Sequence, residues 1–216
     1  MHLIYLHGYA TSPDYVQARD FAGRLAQRGQ TLHVPDLNLP DFEHLTLTAI
    51  LARTAEVIRA LPDGPVGLIG ASMGGAAALH FAERYRAAEA DRVTRLLLLA
   101  PAFELARGFR QMLGDDGLAR WQATGALDVF HYAYGETRRM HYGLYADLAQ
   151  YDSDATDVRA PTLIFHGTRD DAVDYQQSTR YAATRPWVEV RLVDSDHQML
   201  DQTDAIFEAM TAFFGV

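Results

Sequence analysis

The chain contains no cysteine. Disulfides, a thiolate nucleophile and cysteine-based metal sites are therefore excluded, and the composition fits a cytoplasmic protein. Long apolar runs are also missing. The longest, Leu96 to Phe103, is far too short to cross a bilayer, so no membrane insertion is expected. The first strand-like run begins at His2 or Leu3, which leaves no room ahead of it for a signal or transit peptide. Positive charge is scarce: 19 Lys+Arg against 28 Asp+Glu give a net charge of −9. A field of that sign repels phosphate backbones and anionic lipid, which argues against nucleic-acid or membrane-surface partners. There is no His-Glu-x-x-His and no carboxylate loop of calcium type. The residues after the first strand, His7-Gly8-Tyr9-Ala10-Thr11, lack the glycines of a dinucleotide or phosphate loop. Asp194, Asp196 and His197 are too irregularly spaced to read as a metal cluster. No cofactor and no metal are expected, and no repeat or low-complexity tract is visible.

What is present is a regular alternation of short apolar runs and helical patterns. The 216 residues fit one domain, 1–216, with a sizeable core. Strands are predicted at Leu3–Leu6, Thr31–Val34, Val66–Ile69, Val93–Leu99, Thr162–Phe165 and Val188–Val193. Helices are predicted from Ala18 to Arg28, Leu47 to Leu61, Ala76 to Tyr85, Gln177 to Ala183, and over a last stripe of Ile206, Phe207, Met210, Phe213 and Phe214. Strands separated by helices imply about six mostly parallel strands with helices on both faces, an α/β architecture. The segment of about 102–159, between strands four and five, breaks the alternation. Its scattered helical periodicity and its aromatics (Trp121, Phe130, Tyr132, Tyr134, Tyr142, Tyr145) read as a small helical cap over the carboxyl edge of the sheet.

The sharpest feature lies at the third strand: Gly70-Ala71-Ser72-Met73-Gly74-Gly75 follows an apolar run and opens a helix. Strand, Gly-x-Ser-x-Gly, helix is the order of a nucleophile elbow. The turn is sharp enough that side chains two before and two after its tip must be nearly absent, hence Gly70 and Gly74. It lifts the Ser72 hydroxyl above the sheet edge, in front of a helix N-terminus that favours negative charge.

Serine is a weak nucleophile at neutral pH and needs a base, which in turn needs a third group to fix its tautomer. In the chain order Ser, acid, His, the strand ends supply one set: Ser72, Asp170 and His197. Of nine histidines, His2, His33, His44, His80, His131 and His141 do not follow the last strand. His7 reads as shaping its turn and His166 as structural. Asp170 is preferred to its neighbours Asp171 and Asp174 because it stands four after His166, with Val173 three further on. A carbonyl under attack becomes an oxyanion, which two backbone N–H groups would hold: that of Met73, first in the elbow helix, and that of Tyr9, in the turn that Gly8 lets bend.

These motifs resemble the α/β-hydrolase superfamily over essentially the whole chain. They are the His-Gly turn, Gly-x-Ser-x-Gly-Gly, His-Gly-x-x-Asp-x-x-Val and the final histidine loop. Tyr5 to Pro13 is similar to small bacterial serine esterases that carry His-Gly-Phe followed by Ser-Ser-Pro. His166 to Val173 with Ser195-Asp196-His197-Gln198-Met199 resembles the acyl-protein thioesterase and acyl-glucuronide esterase branch. The resemblance implies hydrolysis of a small-molecule ester or thioester through an acyl-serine, without a cofactor. It also implies that the usual leading hairpin of the fold is absent. Two other readings stand beside it. One is a lyase or C–C hydrolase using the same residues on a small anionic substrate, which Arg138-Arg139 would serve. The other is a hydrolase-fold binding protein without turnover.

Overall fold

A computed structural model describes all residues, 1–216. Six strands form one parallel sheet: β1 (His2–Leu6), β2 (Leu32–His33), β3 (Val66–Ala71), β4 (Val93–Leu99), β7 (Thr162–Gly167) and β8 (Val188–Val193). The spatial order is β2-β1-β3-β4-β7-β8. The chain therefore builds outward in one direction from β1 to β2, then reverses and builds in the other from β3. A reversal of this kind opens a crevice at the carboxyl ends of the two strands that flank it, here β1 and β3.

Side chains alternate across the sheet and feed two cores. Ile4, Leu6, Leu68, Leu96, Leu98 and Ile164 point to one face, where α2 (Leu47–Ala60) and α3 (Met73–Arg84) pack. Leu3, Tyr5, Ile69, Leu97, Leu99, Leu163 and Phe165 point to the other, covered by α1 (Val16–Gln27) and α7 (Thr203–Phe214). Strand β8 is an edge, and its alternating exposure reflects one uncovered face. Strand β2 is shorter than its sequence pattern, because Leu32 and His33 alone pair with β1 before Pro35 removes a donor.

Helix α2 starts where the Thr46 hydroxyl accepts the Ala49 N–H at 3.1 Å, an N-cap. Helix α3 is buried almost all round, from Met73 through Ala82. A helix apolar on every side needs cover on every side, and the cover opposite the sheet comes from the insertion between β4 and β7.

That insertion is only partly helical. Helix α4 (Leu105–Thr124), kinked at Gly114, leads into an antiparallel hairpin of β5 (Ala126–His131) and β6 (Glu136–His141), then a short α5 (Gly143–Leu148). The sequence pattern does not mark this hairpin, because exposed Phe130 stands among the partly buried Leu127 and Val129, and β6 buries Met140 alone. Gly135, at φ 66°, makes its turn. The hairpin docks by backbone bonds: Tyr132 N–H to Ala10 O at 3.0 Å and His141 N–H to Glu43 O at 2.7 Å. Trp121 locks it to α4 by donating Nε1–H to Met140 O at 2.9 Å. Helix α6 (Gln176–Ala183) completes the fold beside β8. No helix is long and apolar enough to cross a membrane.

Candidate functional site

Strain collects at the carboxyl edge of the sheet. Four non-glycine residues have positive φ: Ala10, Ser72, Ala100 and Met199. They leave the ends of β1, β3, β4 and β8 respectively, so the unfavourable conformations lie on one side of the molecule, around the crevice. Ser72 sits at φ 52°, ψ −116°, between β3 and α3. The chain passes so tightly there that a Cβ on Gly70 would lie 2.3 Å from Gly74 O, and one on Gly74 would lie 2.0 Å from Leu6 O. The two glycines are set by close approach rather than by φ.

The turn after β1 runs directly alongside. A Cβ on Gly8 would be 3.3 Å from Ser72 Cβ. His7 shapes this turn: its Nε2 accepts the Leu37 N–H at 3.1 Å, so Nδ1 carries the proton and donates to Gly8 O at 3.0 Å. The Tyr9 N–H has no acceptor within the protein. Met73 is the first residue of α3, and such an N–H has no intrahelical acceptor. The Tyr9 ring packs against Phe42 (5.7 Å between centroids) and edge-on to Phe109 of α4 (5.9 Å). Burial raises its phenol well above the ordinary range.

Asp170 follows β7 and His197 follows β8. Asp170 Oδ2 accepts from His197 Nδ1 at 2.7 Å. The carboxylate is fully buried, and the imidazole keeps 24% of its side chain exposed. Asp170 Oδ1 accepts the N–H groups of Ala172 (2.9 Å) and Val173 (2.8 Å). Burial alone would raise this carboxyl. Hydrogen bonds from His166 and His197, the charge of His197 and the Val173 N–H outweigh it and hold the group well below the usual carboxylate range. Asp171 is exposed, and Asp174 caps Gln176 at 2.9 Å. Asp170 is thus the one of the three that lies against His197.

His197 lies on the loop between β8 and α7. Tyr15 O–H donates to Gln198 Oε1 at 3.2 Å, tying this loop to the one that carries Gly8. Met199, buried, packs into the core beside Ile69, Leu99 and Ala100. His197 Nδ1 and Asp170 are joined, whereas no hydrogen bond joins Ser72 Oγ to His197.

Asp194 pairs with Arg169 at 2.7 Å, and Asp196 accepts the N–H groups of Gln198 and Met199 at 3.0 Å. No group of three His, Asp or Glu is arranged to hold a metal. A cavity of about 210 Å³ lies one and two turns along α3 from Ser72, lined by Ala76, His80, Phe103, Leu105 and Tyr151 among others. Ser72, Asp170 and His197 do not line it.

Residues 2–215 match the uncharacterised protein family UPF0227. The chain belongs to that family. No curated protein matches this UPF0227 member in sequence. Solved structures do match it in shape. A candidate hydrolase from Agrobacterium vitis S4 is 23% identical, covers 98% of this chain and 87% of its own, and superposes with a TM-score of 0.86. The α/β-hydrolase domain-containing protein 10 from mouse gives 19%, 99%, 89% and 0.80 for the same quantities. Est1E from Butyrivibrio proteoclasticus, solved with ferulic acid bound, gives 20%, 99%, 88% and 0.80. This UPF0227 chain therefore has the α/β-hydrolase fold.

Proposed function

We propose that the protein is a serine hydrolase that cleaves a carboxylic ester or thioester through an acyl-serine. The observation that carries this reading is the strained Ser72 at the β1/β3 crevice, with a buried, ionised Asp170 bonded to His197 on the loop after β8. An ionised carboxylate on Nδ1 leaves Nε2 as the basic nitrogen and favours the imidazolium that forms when Nε2 takes a proton.

In this mechanism His197 Nε2 removes the Ser72 proton as Oγ attacks the acyl carbonyl. The N–H groups of Tyr9 and Met73 hold the oxyanion. The imidazolium returns the proton to the leaving alcohol or thiol, and water repeats the sequence on the acyl-enzyme. The insertion 102–159 acts as the cap: its hairpin bonds to Ala10 and its Phe109 meets Tyr9, beside the oxyanion turn. The ferulic acid held by a neighbour of this fold is a carboxylic acid, the class of product that ester hydrolysis releases. The arginines that would serve an anionic substrate are paired elsewhere: Arg138 with Glu136 at 2.5 Å and Arg139 with Glu43 at 3.5 Å. That favours an ester or thioester over the lyase reading.

The test is labelling with a fluorophosphonate probe, followed by p-nitrophenyl esters and acyl-thioesters of graded chain length. Ser72 is expected to be the labelled residue, with label and turnover both lost in Ser72→Ala. An unlabelled protein would remove Ser72 as nucleophile. Labelling without ester or thioester turnover would turn the assignment toward the lyase.

A further inference from the structure

His166 lies at the end of β7, fully buried, with Nε2 3.1 Å from Asp170 Oδ2 and 3.1 Å from Val173 O. Neither a carboxylate held ionised nor a carbonyl can donate, so Nε2 carries a proton. Its other nitrogen, Nδ1, is 2.7 Å from the hydroxyl of Ser178, also fully buried. Ser178 Oγ has no other partner, so its proton goes to Nδ1 while Nε2 donates.

Asp170 then receives four bonds: two backbone N–H groups on Oδ1, and two imidazole N–H groups, from His166 and His197, on Oδ2. The first pair stops the carboxylate rotating. The second pair divides the charge of one oxygen between two donors. We propose that His166 is a positioning residue that sets how strongly Asp170 acts on His197, by sharing the oxygen that His197 uses. Its bearing on catalysis rests on the serine-hydrolase reading; its effect on the Asp170–His197 bond does not.

The other charged groups on these loops are exposed and engaged elsewhere. Arg169 is with Asp194, Asp174 is with Gln176 N–H and 4.0 Å from Arg180, and Asp196 is with two backbone N–H groups. Asp201 is bonded to Ser195, and Asp171 is exposed. The hydroxyl of Tyr15, bonded to Gln198, faces the same loop from the β1 side. His166 is the remaining group in direct contact with Asp170.

Without His166, Oδ2 serves His197 alone and stabilises the imidazolium more. In His166→Phe the acid limb of the kcat/KM profile should move up by roughly one pH unit. His166→Gln, which keeps an amide donor near Nε2, should move it back most of the way. Two NMR readouts need no turnover. In the wild-type protein, ¹⁵N shifts should show His166 protonated at Nε2 and not at Nδ1. In His166→Phe, the His197 Nδ1–H proton should move downfield as its bond shortens. A His166 protonated at Nδ1 alone would overturn the proposal, even if the Phe variant failed to fold. So would an unmoved His197 proton in a folded variant. A downfield shift in a protein that Ser72 probes do not label would uphold the Asp170 assignment and remove only the hydrolase reading.

Discussion

Asp170 Oδ2 lies 2.7 Å from His197 Nδ1, with the carboxylate fully buried and the imidazole partly open to solvent. The arrangement distinguishes a carboxylate that fixes a tautomer from one that merely sits nearby. Asp170→Asn keeps its oxygen on the Ala172 and Val173 N–H groups and turns an NH2 donor toward His197 Nδ1, which no longer holds the proton there. Turnover should fall by about four orders of magnitude, as it does when the buried aspartate of a serine protease is so changed. Asp171→Asn, on an exposed side chain beside it, should stay within about twofold of wild type. Steady-state kcat/KM on one p-nitrophenyl ester decides between them, and the reverse ranking would reassign the acid.

The elbow tolerates no added carbon. A Cβ on Gly74 would stand 2.0 Å from Leu6 O and 2.7 Å from His7 O, both backbone atoms of the adjacent strand end. Gly74→Ala must push β1 and α3 apart, at a cost of about 3 kcal/mol or more. Gly23, inside α1, has nothing within 4 Å of its built Cβ. Gly23→Ala should raise stability by about 0.5–1 kcal/mol, since alanine loses less backbone entropy in a helix. Urea unfolding of the two variants should give opposite signs.

His80 gives the fold an acid-sensitive joint. It is buried on α3, with Nε2 3.0 Å from Ser153 Oγ, whose own hydroxyl donates to Phe103 O at 3.0 Å. Burial, aided by the charge of Arg84, lowers its pKa to about 4. The folded protein therefore binds its proton less readily than the unfolded chain does. The neutral ring's contribution is fully present above the ordinary histidine range and is lost as pH falls toward 4. Between pH 7 and pH 5 the loss should be about 2 kcal/mol. His80→Gln, which does not titrate, should lack that component, so the difference between the two unfolding free energies should narrow on acidification. A constant difference would mean that His80 titrates as it does in water.

The sheet was legible because its strands are apolar runs cut off by glycine and proline. Val93–Leu99 and Val188–Val193 fall where the pattern put them. Ser72 was legible because its turn requires glycine at fixed offsets, a steric demand written directly into the chain. The hairpin of β5 and β6 was not legible, because the face it packs on the core is short (Leu127, Val129 and Met140) while Phe130 is exposed and the rest of β6 is polar. The link from His166 to Asp170 was visible as a spacing of four. Its meaning depends on where a turn, not a helix, aims the two side chains.

Trp121 holds the insertion together. It is 1% exposed, donates to Met140 O at 2.9 Å, and meets Phe109, Tyr142 and Tyr145 at 5.4, 5.6 and 6.0 Å between ring centroids. One ring thus joins α4, the hairpin and α5. Trp121→Ala leaves a large void and an unpaired carbonyl, which should cost about 3–5 kcal/mol. The void opens in the core on the α2 and α3 side, among residues supplied by α4, β6 and α5 rather than by the sheet strands. Amide exchange should therefore quicken across residues 105–148 while β1, β3 and β4 stay protected. Because Phe109 packs on Tyr9, loosening also reaches the turn after β1, and KM should rise more than kcat falls. Uniform loss of protection over the sheet as well would show that the insertion and the sheet unfold as one unit.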